Sequence, residues 1–122
     1  ERADAIAEQF GPRVKVFDWG NRSDGARDAC VLVNTTAVGL KGVGSLGVDF
    51  TGFNPDCVVS DIVYVPLETE LIAAARSHGL RTVDGLGMLL HQAVPGFERW
   101  FGVRPQVTDE LRAMIVADIE GK

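Results

Sequence analysis

The chain has 122 residues, 46% of them hydrophobic and 24% charged, which suffices for one domain with its own core and is too short for two. A formal net charge of −5 argues against nucleic acid as partner, because phosphate binding needs a basic face. No apolar run approaches the roughly 20 residues of a membrane-crossing helix, and no secretory pattern of basic start, apolar stretch and cleavage site is present, so cytoplasmic is the default location.

Apolar Ala3, Ile6, Ala7 and Phe10 recur at helical spacing, so residues 1–10 read as a helix stopped by Gly11-Pro12. It opens without a cap, as a trimmed chain would. Val14-Lys15-Val16-Phe17 reads as a short strand. Ser23 and Asp24 offer caps for a turn or two of helix between Asn21 and Asp28. The stretch from Cys30 to Asn34 is apolar on both faces, the pattern of a strand in a parallel sheet with helices on both sides. Residues 39–54 are glycine-rich and unpatterned, hence loop.

A second buried strand runs from Cys57 to Ile62 and is closed by Tyr64-Val65-Pro66. Thr69 to His78 reads as a helix with Leu71, Ile72 and Ala75 on its apolar face, ended by Gly79. Arg81-Thr82-Val83 is the last strand. Leu86 to Phe101 is the longest helix, expected to bend or break near Pro95. A final helix runs from Thr108 to about Ile119, and its apolar Leu111, Ile115, Ala117 and Ile119 need a surface to lie against. Alternation of strands and helices gives the fold class: α/β, a partial Rossmann-like doubly wound parallel sheet of four strands with helices on both faces. Cys30 and Cys57 read as buried free thiols at strand starts, and neither has neighbours that complete a metal site. His78 and His91 read as surface or packing residues.

In such sheets ligands bind beyond the carboxyl ends of the strands. Those positions hold Asn34-Thr35-Thr36-Ala37-Val38-Gly39, Asp61-Ile62-Val63-Tyr64 and Asp84-Gly85-Leu86-Gly87-Met88. All three mix polar side chains with residues that let a ligand approach backbone. The competing reading is that Asn34, Thr36 and Asp84 only cap turns and helices. Two glycine runs, Gly39-x-x-Gly42-x-Gly44 and Gly85-x-Gly87, suggest a pyrophosphate loop, but neither follows a strand and opens a helix at the required spacing.

The runs Val63-Tyr64-x-Pro66-x-x-Thr69 and Asp84-Gly85-Leu86-Gly87-Met88-Leu89-Leu90-His91-Gln92 resemble the shikimate dehydrogenases, whose second domain carries Asp-x-x-Tyr-x-Pro and then Asp-Gly-x-x-Met-x-x-x-Gln. Val33-Asn34-Thr35-Thr36-x-x-Gly39 is similar to that family's Asn-Ala-Thr-Pro-x-Gly turn, and Phe97-Glu98-x-Trp100-x-Gly102-x-x-Pro105 adds to the likeness. Thr35, Ala37 and Leu40 depart from the usual alanine, proline and methionine. The resemblance implies that Tyr64 and Gln92 touch the shikimate ring, as suits groups that both donate and accept hydrogen bonds. It also implies that Ile62 and Gly85 offer backbone to the nicotinamide, with Met88 beside them, and that Asn34, Thr35 and Thr36 lie near the other half of NADP. Arg2 would match the second arginine of a clamp on the 2′-phosphate.

The family's catalytic lysine and aspartate belong to a separate amino-terminal domain and are not in this chain. The resemblance therefore implies a carboxy-terminal part of an NADP-binding domain, residues 1–122, that is inactive alone. Its whole enzyme would interconvert 3-dehydroshikimate and shikimate in aromatic amino-acid biosynthesis. The alternatives are a non-catalytic nucleotide-binding or regulatory module, or a relative that uses quinate. If the strand order 3-2-1-4-5-6 holds, the first two strands are absent and lie between Val14–Phe17 and Cys30–Asn34. Open strand edges then call for the missing amino-terminal part, or a second copy, as partner.

Overall fold

The computed structural model describes residues 1–41 and 43–121. Gly42, part of one glycine run above, and Lys122 lie outside them. Three short strands, β1 (Val31–Asn34), β2 (Val58–Asp61) and β3 (Arg81–Val83), form a parallel sheet in the order β1-β2-β3. Val31 lies opposite Val58, which lies opposite Arg81, so one row of side chains crosses all three strands on each face. The helices are α1 (Arg2–Phe10), α2 (Arg22–Ala26), α3 (Glu70–Ser77), α4 (Gly85–Phe101) and α5 (Asp109–Ile119).

The core sits on one face of the sheet. Val59 of β2 and the neighbouring Leu32 of β1 meet Leu71 and Ala75 of α3, together with Cys57 and Leu80. Thr69 caps α3 by accepting from the Ile72 amide at 3.3 Å, and this fixes the rotation that turns Leu71, Ile72 and Ala75 inward. The described residues of the segment between β1 and β2 form no helix or strand, as its composition led one to expect, yet they complete this core. Phe50 and Phe53 are buried there, their rings edge-on at 5.0 Å. Arg22 fastens the same segment, donating to the carbonyls of Leu46 (2.6 Å) and Gly47 (2.9 Å). Arg27 does so at Thr51 (2.7 Å).

The opposite face is open over β1 and the end of β3: Val31, Val33 and Val83 are 58%, 49% and 50% exposed. α5 buries none of its residues, and Met114 on it is exposed. The apolar stripe read from its sequence therefore has no full cover among the described residues.

Four expectations need correction. Val14–Phe17 is not a strand, so the described residues hold three strands and not four. Val14 has extended dihedrals, but a ladder requires a neighbour, and no described strand pairs with this segment. Ser23 and Asp24 do not cap α2 but lie inside it, Ser23 accepting from the Asp49 amide at 3.0 Å and Asp24 pairing with Arg27 at 2.6 Å. Cys57 is buried, whereas Cys30, which precedes the edge strand β1, is exposed. Lastly, of the bend or break expected near Pro95 the break does not occur: α4 runs on from Gly85 to Phe101, the missing donor falling on an exposed turn.

Candidate functional site

Because the strands are parallel, the three turns that follow them emerge at one edge. There Gly39 from the first turn, Val65 and Pro66 from the second and Asp84 from the third line one cleft of about 620 Å3. Lys41, Arg76, Glu68, Ile119 at the end of α5 and Glu120 just after it are also among its walls. Arg76 is paired with Glu68, and Asp84 with Arg112 at 2.6 Å, so the cleft's charge is partly matched before any ligand enters.

A buried polar chain builds the first two turns. Asn34 closes β1 and accepts, through Oδ1, from the amide (2.9 Å) and the hydroxyl (2.8 Å) of Thr36. Its Nδ2 donates to the Val38 carbonyl and to Asp61 Oδ1, each at 2.9 Å. The same Asp61 oxygen accepts from the Val63 amide (3.0 Å), and its other oxygen accepts from the Thr69 hydroxyl (2.7 Å). Asn34, Asp61 and Thr69 are all buried, and no buried side-chain polar atom among the described residues lacks a partner.

The third turn is fixed by Asp84, which caps α4 by accepting from the Leu86 amide at 3.0 Å. Gly85 follows and is pressed onto the preceding turn. A methyl group at Gly85 would fall against the Ile62 carbonyl and 2.8 Å from the Val63 carbonyl oxygen. Only hydrogen fits there.

Among the residues singled out by sequence, Asn34, Thr36, Ile62 and Gly85 are thus brought together; Ile62 also donates its amide to the Asn34 carbonyl at 3.1 Å. Asn34, Thr35 and Thr36 line a second hollow of about 270 Å3 beside Trp19 and Arg22. Tyr64 is half-buried in the second turn, and Met88 and Gln92 are exposed on α4, but none of these three lines either hollow. Arg2 is exposed at the start of α1, a helix that contributes no wall to the cleft. Asn34 and Asp84 do act as turn and helix caps, the competing reading given to them above. Sequence reasoning missed Asp61 as the hub and Lys41, Glu68 and Arg76 as cleft walls. The first stood in the Asp-x-x-Tyr run, while the others carried no local signal. Among the described residues no group of three or more His, Cys, Asp or Glu could hold a metal ion.

This arrangement agrees with comparisons to known proteins. Residues 85–111, from the Gly85 turn to the start of α5, match the family described as the shikimate 5'-dehydrogenase C-terminal domain. Over 121 residues, 99% of the chain, it is 57% identical to shikimate dehydrogenase (NADP(+)) of Azorhizobium caulinodans, of which it covers 43%. Over nearly its whole length the chain is similar to the shikimate dehydrogenase family. Shikimate 5-dehydrogenase of Thermus thermophilus, solved in complex with NADP(H) and shikimate, shares the fold at TM-score 0.70 and 33% identity over 86% of this chain and 38% of that one. A quinate dehydrogenase from Corynebacterium glutamicum, solved with NAD, gives 0.69 and 36% over 85% and 37%. The chain thus spans under half the length of these shikimate dehydrogenase family members. This likeness and the three-stranded parallel sheet with its helices fit the Rossmann-like reading of the sequence.

Proposed function

We propose that this chain forms the cofactor-side part of an NADP-dependent shikimate dehydrogenase that interconverts 3-dehydroshikimate and shikimate in the cytoplasm. The observation that carries the reading is the wedge of Gly85 against the Ile62 carbonyl at the shared strand edge. It fixes the second and third turns against each other, and those turns supply Val65, Pro66 and Asp84 to the cleft. NADP, when bound, supplies or accepts the hydride. This chain's residues orient it: Ile62, Gly85 and Met88 toward the nicotinamide, Asn34, Thr35 and Thr36 toward the other half, and Arg2 toward the 2′-phosphate. Tyr64 and Gln92 face the substrate, their hydroxyl and carboxamide matched to its hydroxyl and acid groups. Proton transfer falls to a lysine and an aspartate of an amino-terminal domain, so the 122 residues alone turn nothing over. That domain, or a second copy, also lies along the open edge of β1.

The test uses the complete polypeptide with shikimate and either NADP+ or NAD+. Gln92→Ala and Tyr64→Phe should each raise the shikimate KM about tenfold, the cost of one unmade hydrogen bond to a bound polar ligand. Unchanged KM in both variants would remove the substrate assignment. The likeness to a quinate dehydrogenase solved with NAD favours a second reading, a quinate-using relative. Preference for quinate and NAD+ in the same assay would select it.

A further inference from the structure

We infer that Asp61 is a positioning residue that locks the turn after β1 to the turn after β2, so the cofactor and substrate sides of the site move as one body. The assignment of a ligand to each turn rests on the functional reading above, while the coupling rests on the hydrogen bonds alone.

Asp61 ends β2 on the same face as Val59, where an apolar side chain would be the ordinary choice for a buried strand position. A carboxylate there is costly unless its lone pairs are used, and removing it alone would leave three donors without an acceptor. What this one does is bind three donors from three segments. Asn34 belongs to the first turn, Val63 to the second and Thr69 to the start of α3. Chains of hydrogen bonds extend from the first and the last of these. The Val38 amide donates to Thr36 Oγ1 (3.1 Å), and Thr36 in turn donates to Asn34. At the far end, the Ile72 amide donates to Thr69 (3.3 Å).

Movement at Asp61 is therefore felt at Thr36 and at Val63 together. Ile62 lies between Asp61 and Val63, and its carbonyl abuts Gly85, so the third turn is wedged against the same unit. Tyr64 is the next residue beyond the held amide. A side chain that touches neither ligand thus sets the spacing between the groups that do.

Hydrogen exchange on the complete polypeptide tests the coupling without reference to activity. Thr36→Val removes a hydroxyl confined to the first turn, yet it should speed exchange of the Val63 and Tyr64 amides roughly fivefold relative to the core. Thr36→Ser, which restores the hydroxyl, should return them to the parent rate. Leu80→Ala, a core truncation before β3 at the other end of the sheet, controls for general loss of stability and should leave that ratio unchanged. In kinetics, Asp61→Asn should raise the KM of both NADP+ and shikimate roughly fivefold, while Leu80→Ala lowers Tm and moves neither. Exchange changes confined to residues 34–38 in Thr36→Val, or an Asp61→Asn enzyme with lowered Tm and both KM values intact, would overturn the proposal. If the parent protein does not oxidise shikimate at all, the functional reading falls, and the exchange result still decides the coupling.

Discussion

The two faces of the sheet differ sharply although their strands carry similar side chains. On one face Val59 and Leu32 lie under α3 and the Phe50–Phe53 pair. On the other Val31, Val33 and Val83 stand about half exposed. The contrast teaches that an apolar pattern records which faces a strand is suited to bury, whereas cover depends on which other segments are present. An apolar strand face with nothing over it gains none of the roughly 25 cal/mol per Å2 that burial contributes.

The largest test of this contrast is chemical. Cys57 belongs to the closed side, and burial pushes its thiol pKa up, which keeps it from the reactive thiolate; Cys30 is exposed. A maleimide should modify Cys30 at least about a thousandfold faster than Cys57, which must wait for the core to open. Equal rates would show that the closed face is not closed. Next comes truncation of the core: Leu71→Ala should cost about 3 kcal/mol, read as a shift in urea midpoint. Gly85→Ala should cost about 2 kcal/mol by overpacking against the Ile62 carbonyl, and would also displace the third turn. Smallest is Val33→Thr on the open face, with less than about 0.5 kcal/mol expected in this 122-residue chain. A loss as large as that of Leu71→Ala would mean that something covers the open face in solution.

Much of this was legible from the sequence where the signal is local. The strands at Val31–Asn34, Val58–Asp61 and Arg81–Val83 follow from short apolar runs, and α3 from the spacing of Leu71, Ile72 and Ala75 next to a Thr69 cap. Val14–Phe17 misled because strand composition is local while a ladder is not. Phe50 and Phe53 were hidden in an aperiodic glycine-rich segment, whose path is set by Arg22 and Arg27 across 24 residues of chain. The strand-end groups were findable, since topology alone puts them at one edge. The role of Asp61 was not, because its partner Asn34 is 27 residues away and meets it only through strand register. Tyr64 and Gln92 were singled out only by resemblance, and their role stays a proposal.

Pro95 adds a last consequence. With no N–H, it leaves the His91 carbonyl without a donor four residues on, and His91 faces water. Bending α4 at that turn breaks one bond fewer than bending it elsewhere. The proline divides the helix into an inner arm, anchored by Gly85 on Ile62, and an outer arm that bears Trp100 and the Phe97–Phe101 pair.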